Sequence, residues 1–195
     1  MKKLFVIVLL ANFITACGSD NEAALECPPT AIAIDINKIE LAVNGGEYQA
    51  NTLISYDKVD LSFEASGANV YSDGNELDEG KTYAENCVTL PVVIPANNKL
   101  TKLNIYSSAD FSADLTSGSS LNDVFSVIEF NIENSQEAIT VAKVQELLPV
   151  MMQRYFNFTL NTAPEFESSH VFYIEISLDN GKQFLLQTPE VLLSK

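Results

Sequence analysis

The chain has 195 residues, 47% of them hydrophobic and 19% charged, with 26 acidic against 11 basic side chains and a formal net charge of −15. That length and apolar content suit one domain with its own core. A field this negative repels phosphate backbones and anionic headgroups, which argues against nucleic acid and against a polybasic membrane contact, and its plain use is solubility.

The first sixteen residues read as a targeting segment. Lys2-Lys3 precede an apolar run from Leu4 to Ile14, broken only by Asn12, and small residues follow at Thr15-Ala16; this is the layout of a secretory signal, too short to span a bilayer. The run Ile14-Thr15-Ala16-Cys17 resembles the lipobox of bacterial lipoproteins. The resemblance implies cleavage before Cys17, a diacylglyceryl thioether on its sulfur and an acylated amine, so that no transmembrane helix is needed. Each buried methylene adds about 0.8 kcal/mol, and two or three chains anchor a protein stably. The expected organisation is a signal peptide over 1–16, a lipidated cysteine with a polar tether over 17–26, and a single β-sandwich domain over 27–195. Losing 1–16 removes two basic residues and no acid, which takes the formal charge from −15 to −17. Gly18, not Asp, follows Cys17, which favours the outer membrane, and Ser19-Asp20-Asn21-Glu22 partly matches the surface-export signals of Bacteroidetes lipoproteins. The expected location is therefore the outer membrane, with the domain facing the periplasm or the cell surface.

Lipidation uses one of three cysteines and leaves Cys27 and Cys87. In an oxidising compartment these form one bridge, worth roughly 4 kcal/mol for a loop of about sixty residues on the chain-entropy model; the alternative is two buried free thiols.

Beyond the tether, alternation of period two dominates. Ile32, Ile34 and Ile36 share one face, Ile39, Leu41 and Val43 continue in the opposite phase, and Asn37-Lys38 is expected to hold a bulge or turn before Gly45-Gly46 stops the strand. Val59, Leu61 and Phe63 oppose Asp60, Ser62 and Glu64 on a half-exposed strand. Val88 to Ile94 is uniformly apolar and reads as a core strand, with Pro91 at an edge or bulge. Leu103 and Ile105, then Ile128, Phe130 and Ile132, then Phe156, Phe158 and Leu160 repeat the pattern, separated by a polar interruption from Ser107 to Ser120. One helix is expected, from Val141, Val144, Leu147 and Leu148 after the N-cap Thr140, ending at Pro149. The clearest hairpin joins Phe172, Ile174, Ile176 and Leu178 to Phe184 and Leu186 through Asn180-Gly181, with both turn residues expected at positive φ. The fold class is thus all-β, an antiparallel sandwich of immunoglobulin-like or related topology with one short helix, and a barrel is its main competitor.

Candidate chemistry is sparse. Asp73-Gly74-Asn75-Glu76-Leu77-Asp78-Glu79-Gly80 is the densest run of oxygen donors, with Asp73, Asn75 and Asp78 as its candidate metal ligands. Leu77 occupies a ligand position of the EF-hand pattern and no later Glu arrives in register, so a solvated hairpin tip is expected in place of calcium, and no cofactor. Ser55-Tyr56-Asp57-Lys58 spells the S-x-x-K of penicillin-binding enzymes, but the order of the accompanying elements is wrong and the third is missing. His170, the only histidine, excludes a histidine-based metal cluster and is expected to be an exposed side chain. Tyr48, Tyr56, Tyr71, Tyr83 and Tyr106 are candidates for a glycan-stacking platform, weakened by the lack of tryptophan. Paired carboxylates of a hydrolase leave no mark in sequence spacing.

Ala109-Asp110-Phe111-Ser112-Ala113-Asp114, Ser117 to Phe125, and Gly181-Lys182-Gln183-Phe184 with Thr188 to Leu193 resemble recurring stretches of Bacteroidetes outer-membrane and surface lipoproteins of unknown function. That resemblance implies a β-rich extracytoplasmic domain and carries over no activity or ligand. The expected role is a non-catalytic interaction or structural module with a protein partner at the cell envelope. Glycan capture beside a nutrient importer is the first alternative and a carboxylate-based hydrolase the second.

Overall fold

The computed structural model describes residues 27–50, 52–71, 87, 94–128 and 138–195. Cys17, the acidic run with Asp73, Asn75 and Asp78, Tyr83, the expected strand residues 88–93 and Phe130 with Ile132 lie outside them. The chain divides into two compact units, Met1–Pro28 with Leu77–Leu90, and Pro29–Glu76 with Pro91–Lys195. In the first, Cys27 and Cys87 are joined by a disulfide, their Cα atoms 5.7 Å apart.

Among its described residues the second unit is all-β, mostly antiparallel, with one short helix. Its strands are β1 (Ala31–Val43), β2 (Leu53–Ser55), β3 (Asp60–Tyr71), β4 (Lys99–Ser107), β5 (Phe125–Ile128), β6 (Ile139–Thr140), β7 (Val150–Met151), β8 (Tyr155–Leu160), β9 (Ser168–His170), β10 (Phe172–Leu178), β11 (Gln183–Gln187) and β12 (Val191–Ser194). Helix α1 spans Val141–Glu146, and the Thr140 side chain accepts from the Lys143 amide, an N-cap worth about 1 kcal/mol. The sheets run β1-β3-β8-β5-β6, β11-β10-β4-β7 and β2-β12-β9, and β2 with β12 is a parallel pair. The first two meet across one core, where Phe125 of β5 packs edge-on against Phe172 of β10, ring centroids 5.3 Å apart. Two sheets facing one another across a shared core make the architecture sandwich-like, and among the described residues no ladder closes the larger sheet on itself.

Strand β1 carries its bulge where the phase of the sequence changes, between Ile36 and Lys38, and a second irregularity between Ala31 and Ala33. The second turns Ile32 outward, so the buried set of β1 is Ala33, Ile34, Ile36, Ile39 and Val43. Asn44 to Gly46 then form a tight left-handed turn with all three residues at positive φ. The β10–β11 hairpin is present, but its turn differs from the expectation. Only Gly181 has positive φ, Gly181 N–H donates to Leu178 O, and Leu178 N–H donates to Lys182 O. This is a three-residue connection, a type I turn closed by a glycine bulge, in which Asn180 keeps ordinary φ and its side chain accepts from the Lys182 amide. The polar stretch after Ser107 folds back onto the core. Phe111 and Leu121 are each 1% exposed, and Asp110, Ser112 and Glu165 side chains accept from the amides of Ser117, Leu115 and Ala113.

Candidate functional site

The outward phase of β1, β3 and β8 builds an open groove. Register pairs Glu40 with Glu64, Ala42 with Ser62, Ser62 with Asn157, and Glu64 with Tyr155. Alternation that buries Leu61, Phe63, Phe156 and Phe158 therefore sets Glu40, Ser62, Glu64, Tyr155 and Asn157 around a space of about 560 Å³. Tyr155 is 51% exposed, its hydroxyl donates to Glu64 Oε1 at 3.3 Å, and the Arg154 guanidinium lies 5.4 Å from its ring centroid. Glu40 pairs with Lys38. At the end of the same row, burial raises the Asp60 carboxyl above its usual range. Among the described residues its Oδ1 has no hydrogen-bond partner, and Oδ2 accepts from Asn157 Nδ2 at 3.5 Å. An aromatic face, carboxylates and an amide on one open sheet can accept hydrogen bonds from hydroxyls or cationic groups of a ligand. Glu40 and Glu64 are exposed neighbours on one sheet, not facing carboxylates sunk in a cleft.

A second polar assembly ties β1 to the β10–β11 turn. Asp35 accepts from Lys182 Nζ at 2.9 Å, Asn98 Nδ2 at 3.0 Å and Asn180 Nδ2 at 3.0 Å, and the lysine hydrogen bond leads the interactions that hold its carboxyl below the usual range. Lys182 Nζ also donates to Ile36 O, while buried Asn98 accepts from the Ile36 amide at 2.7 Å. Every polar group of this knot is turned to a neighbour in the fold, which makes it a clasp.

His170 is not exposed. Its place in β9 puts it in phase with Phe172, Ile174, Ile176 and Leu178, and all five side chains are buried, His170 at 0%. The ring stacks on Phe172 at 5.6 Å. Its Nδ1 lies 2.8 Å from Ser107 Oγ and its Nε2 lies 2.8 Å from Ser168 Oγ. Ser107 Oγ already accepts from the Ala109 amide, and Ser168 donates to Phe166 O. A neutral ring with its proton on Nε2 satisfies both hydroxyls, Ser107 donating to Nδ1 and Ser168 accepting from Nε2. Sealed from solvent and with no carboxylate partner among the described residues, this group is a pin between β4 and β9. Burial depresses its pKa, so the proton taken up by the unfolded chain below pH ~6.5 is refused by the folded one. The stabilisation is complete above that pH and is lost as pH falls beneath it. We expect the melting temperature to drop between pH 7 and pH 5, and the drop to shrink in His170→Phe; equal drops in differential scanning calorimetry of the two proteins would contradict the assignment.

The remaining sequence candidates scatter. Tyr48 is committed to structure, donating to Thr52 O and Glu190 O and accepting from the Leu192 amide. Tyr56 packs partly buried against the core. Tyr71 closes β3, and Tyr106 stacks on Tyr173 at 5.1 Å on the outer face of β4 and β10. They form no continuous row. Ser55-Tyr56-Asp57-Lys58 leads into a 3-10 turn, and a Ser55 hydrogen bond leads the interactions lowering the Asp57 carboxyl. No group of three or more metal-ligating side chains occurs among the described residues. Tyr155 and Asn157 were missed as site residues, although both stand in the outward phase of the strand marked by Phe156 and Phe158. No protein-family model matches this chain, and searches of curated proteins and of solved structures give no match.

Proposed function

We propose that the chain is a lipid-anchored protein of a bacterial outer membrane, held through Cys17, whose β-domain is a non-catalytic module for contact with a protein partner at the cell envelope. The observation that carries the location is the order Lys2-Lys3, apolar run, Thr15-Ala16-Cys17. The Cys27–Cys87 disulfide supports it, because such bonds persist outside the reducing cytosol. The open groove of β1, β3 and β8 supports a contact role, since sheet faces and edges are ready recognition surfaces. Replacing Cys17 with alanine is expected to abolish acylation and move the full-length protein from the membrane fraction to the soluble one. Retention of Cys17→Ala in the membrane, with no acyl mass on the wild-type N-terminus, would overturn the reading.

A glycan ligand for the groove is the second reading, favoured by the exposed Tyr155 ring beside Glu40, Glu64 and Asn157. Tyr155→Ala should then weaken binding of a retained oligosaccharide at least tenfold on a glycan array and by calorimetry, the loss expected for one stacking platform worth about 1.5 kcal/mol. Unchanged retention in the variant removes this reading.

A further inference from the structure

The β10–β11 ladder leaves one set of backbone groups unused. Ile176 stands opposite Phe184 and Ile174 opposite Leu186. The bonds closing the two ends of the ladder are Leu178 N–H to Lys182 O and Thr188 N–H to Phe172 O. Counting inward from both, Phe184 and Leu186 bond to β10, and Gln183, Leu185 and Gln187 aim their N–H and C=O away from it. Strand β11 ends its sheet, and among the described residues no strand pairs with this outer edge. The hydrogen bonds joining β1 to the hairpin come from its turn, from Asn180 and Lys182, and do not use the strand's outward groups.

Exposed edges are normally guarded by charge, proline or a bulge. Between Gln183 and Gln187 there is no charge, no proline and no bulge in the ladder to β10. Gln183-Phe184-Leu185-Leu186-Gln187 is uncharged in a chain of net charge −15. The charges nearest in register and sequence are neutralised, Glu175 by Lys102 at 2.7 Å and Lys182 by Asp35 at 2.9 Å. Leu185 is 63% exposed, and Phe184 and Leu186 are only partly covered by the core. The segment also reads almost identically in both directions about Leu185. A two-fold axis there sets Gln183 opposite Gln187 of the second copy, Phe184 opposite Leu186, and Leu185 opposite itself.

We propose that two copies of this chain pair antiparallel through the outer edge of β11, joining their four-stranded sheets into one continuous sheet. Resting on the interaction reading above, this names the partner as a second copy. The outward groups of Gln183, Leu185 and Gln187 make the reciprocal hydrogen bonds, as in any antiparallel ladder. Strongly acidic copies repel one another over most of their surface, and the neutral strip is where they can meet. The contact is isologous and closes at two. Tethering to one membrane raises the effective concentration of such a short interface.

The test uses the full-length chain. In native membranes Leu185→Cys should cross-link to itself on mild oxidation. Gln183→Cys and Gln187→Cys should each fail alone, their equivalents lying about 13 Å apart, and should cross-link when co-expressed. Sedimentation velocity in detergent should give about twice the monomer mass for the wild type and a monomer for Leu185→Lys, with an unchanged circular-dichroism spectrum. A monomeric wild type without Leu185→Cys cross-links, or a Leu185→Lys protein that remains dimeric, overturns the proposal. An adduct from position 185 to a different protein overturns the second copy and leaves the interaction reading standing. Photo-reactive residues at positions 155 and 185 that capture no protein at all remove both.

Discussion

Gly67→Ala is expected to destabilise the fold by about 3 kcal/mol, at the upper end of the range for overpacking. A Cβ built on Gly67 would stand 2.0 Å from Asp35 O, 2.6 Å from Asp35 C and 2.9 Å from Ile36 Cα. All three are backbone atoms. Opposite Gly67 sits Ile36, at the edge of the β1 bulge, so the two strands lie close together where the register shifts. Strand β1 has no freedom to retreat. Its Ile34 amide donates to Pro95 O, its Ile36 amide to Asn98 Oδ1, and Ile36 O and the Asp35 carboxylate are both held by Lys182. Glycine-to-alanine replacement ordinarily stabilises by about 0.4–1 kcal/mol through the unfolded chain where the native geometry accepts it. Here the clash is several times larger and decides the sign. A loss of this size should lower the melting temperature by roughly 6–12 °C, read by circular dichroism at neutral pH. A variant melting at or above the wild type would mean that β1 and β3 can part at Gly67, and that the clasp around Asp35 does not restrain them.

Alternation made the long strands legible. Among the described residues, runs such as Val59-Leu61-Phe63, Phe156-Phe158-Leu160 and Phe172 to Leu178 became strands, and the switch of phase after Ile36 marked the bulge correctly. Strands of two to four residues left little or no period to read: β2, β5, β6, β7, β9 and β12 contain too few positions. The parallel pairing of Leu53 with Leu192 joins residues distant in sequence and is set by topology, which alternation does not encode. His170 was legible and misread. It continues the buried phase of β10 backwards by one step, but a polar residue at a strand boundary looks solvated until the Ser107 hydroxyl arrives from β4 to join that of its strand neighbour Ser168. The groove follows the same logic. Glu40, Ser62, Glu64 and Asn157 occupy the outward phase of readable strands, while their convergence depends on β3 lying between β1 and β8.

Phe158→Ala should destabilise the fold heavily, costing about 4 kcal/mol. Phe158 is 0% exposed and completes a three-ring cluster. Phe63 stacks on Phe156 at 4.9 Å, and Phe158 meets Phe63 edge-on at 4.9 Å and Phe156 edge-on at 5.2 Å. Two losses combine in the variant. Transfer of the ring from water no longer contributes, and a cavity opens that β3 and β8 cannot collapse, because their register is fixed by five paired positions from Asp60 to Glu64. Aromatic geometry adds about 0.5–1.5 kcal/mol per pair beyond burial, and removing Phe158 forfeits two edge contacts. Phe158→Leu separates these contributions, since it restores most of the volume without the ring; a cost near 1.5 kcal/mol is expected for it. Urea unfolding of both variants, with the slope checked against the wild type, measures the difference. Equal costs for Ala and Leu would show that ring geometry, not filled volume, holds this part of the core. A cost below about 1 kcal/mol for Phe158→Ala would refute the tight packing of β3 against β8 that presents Glu64, Asn157 and Tyr155 on the opposite face.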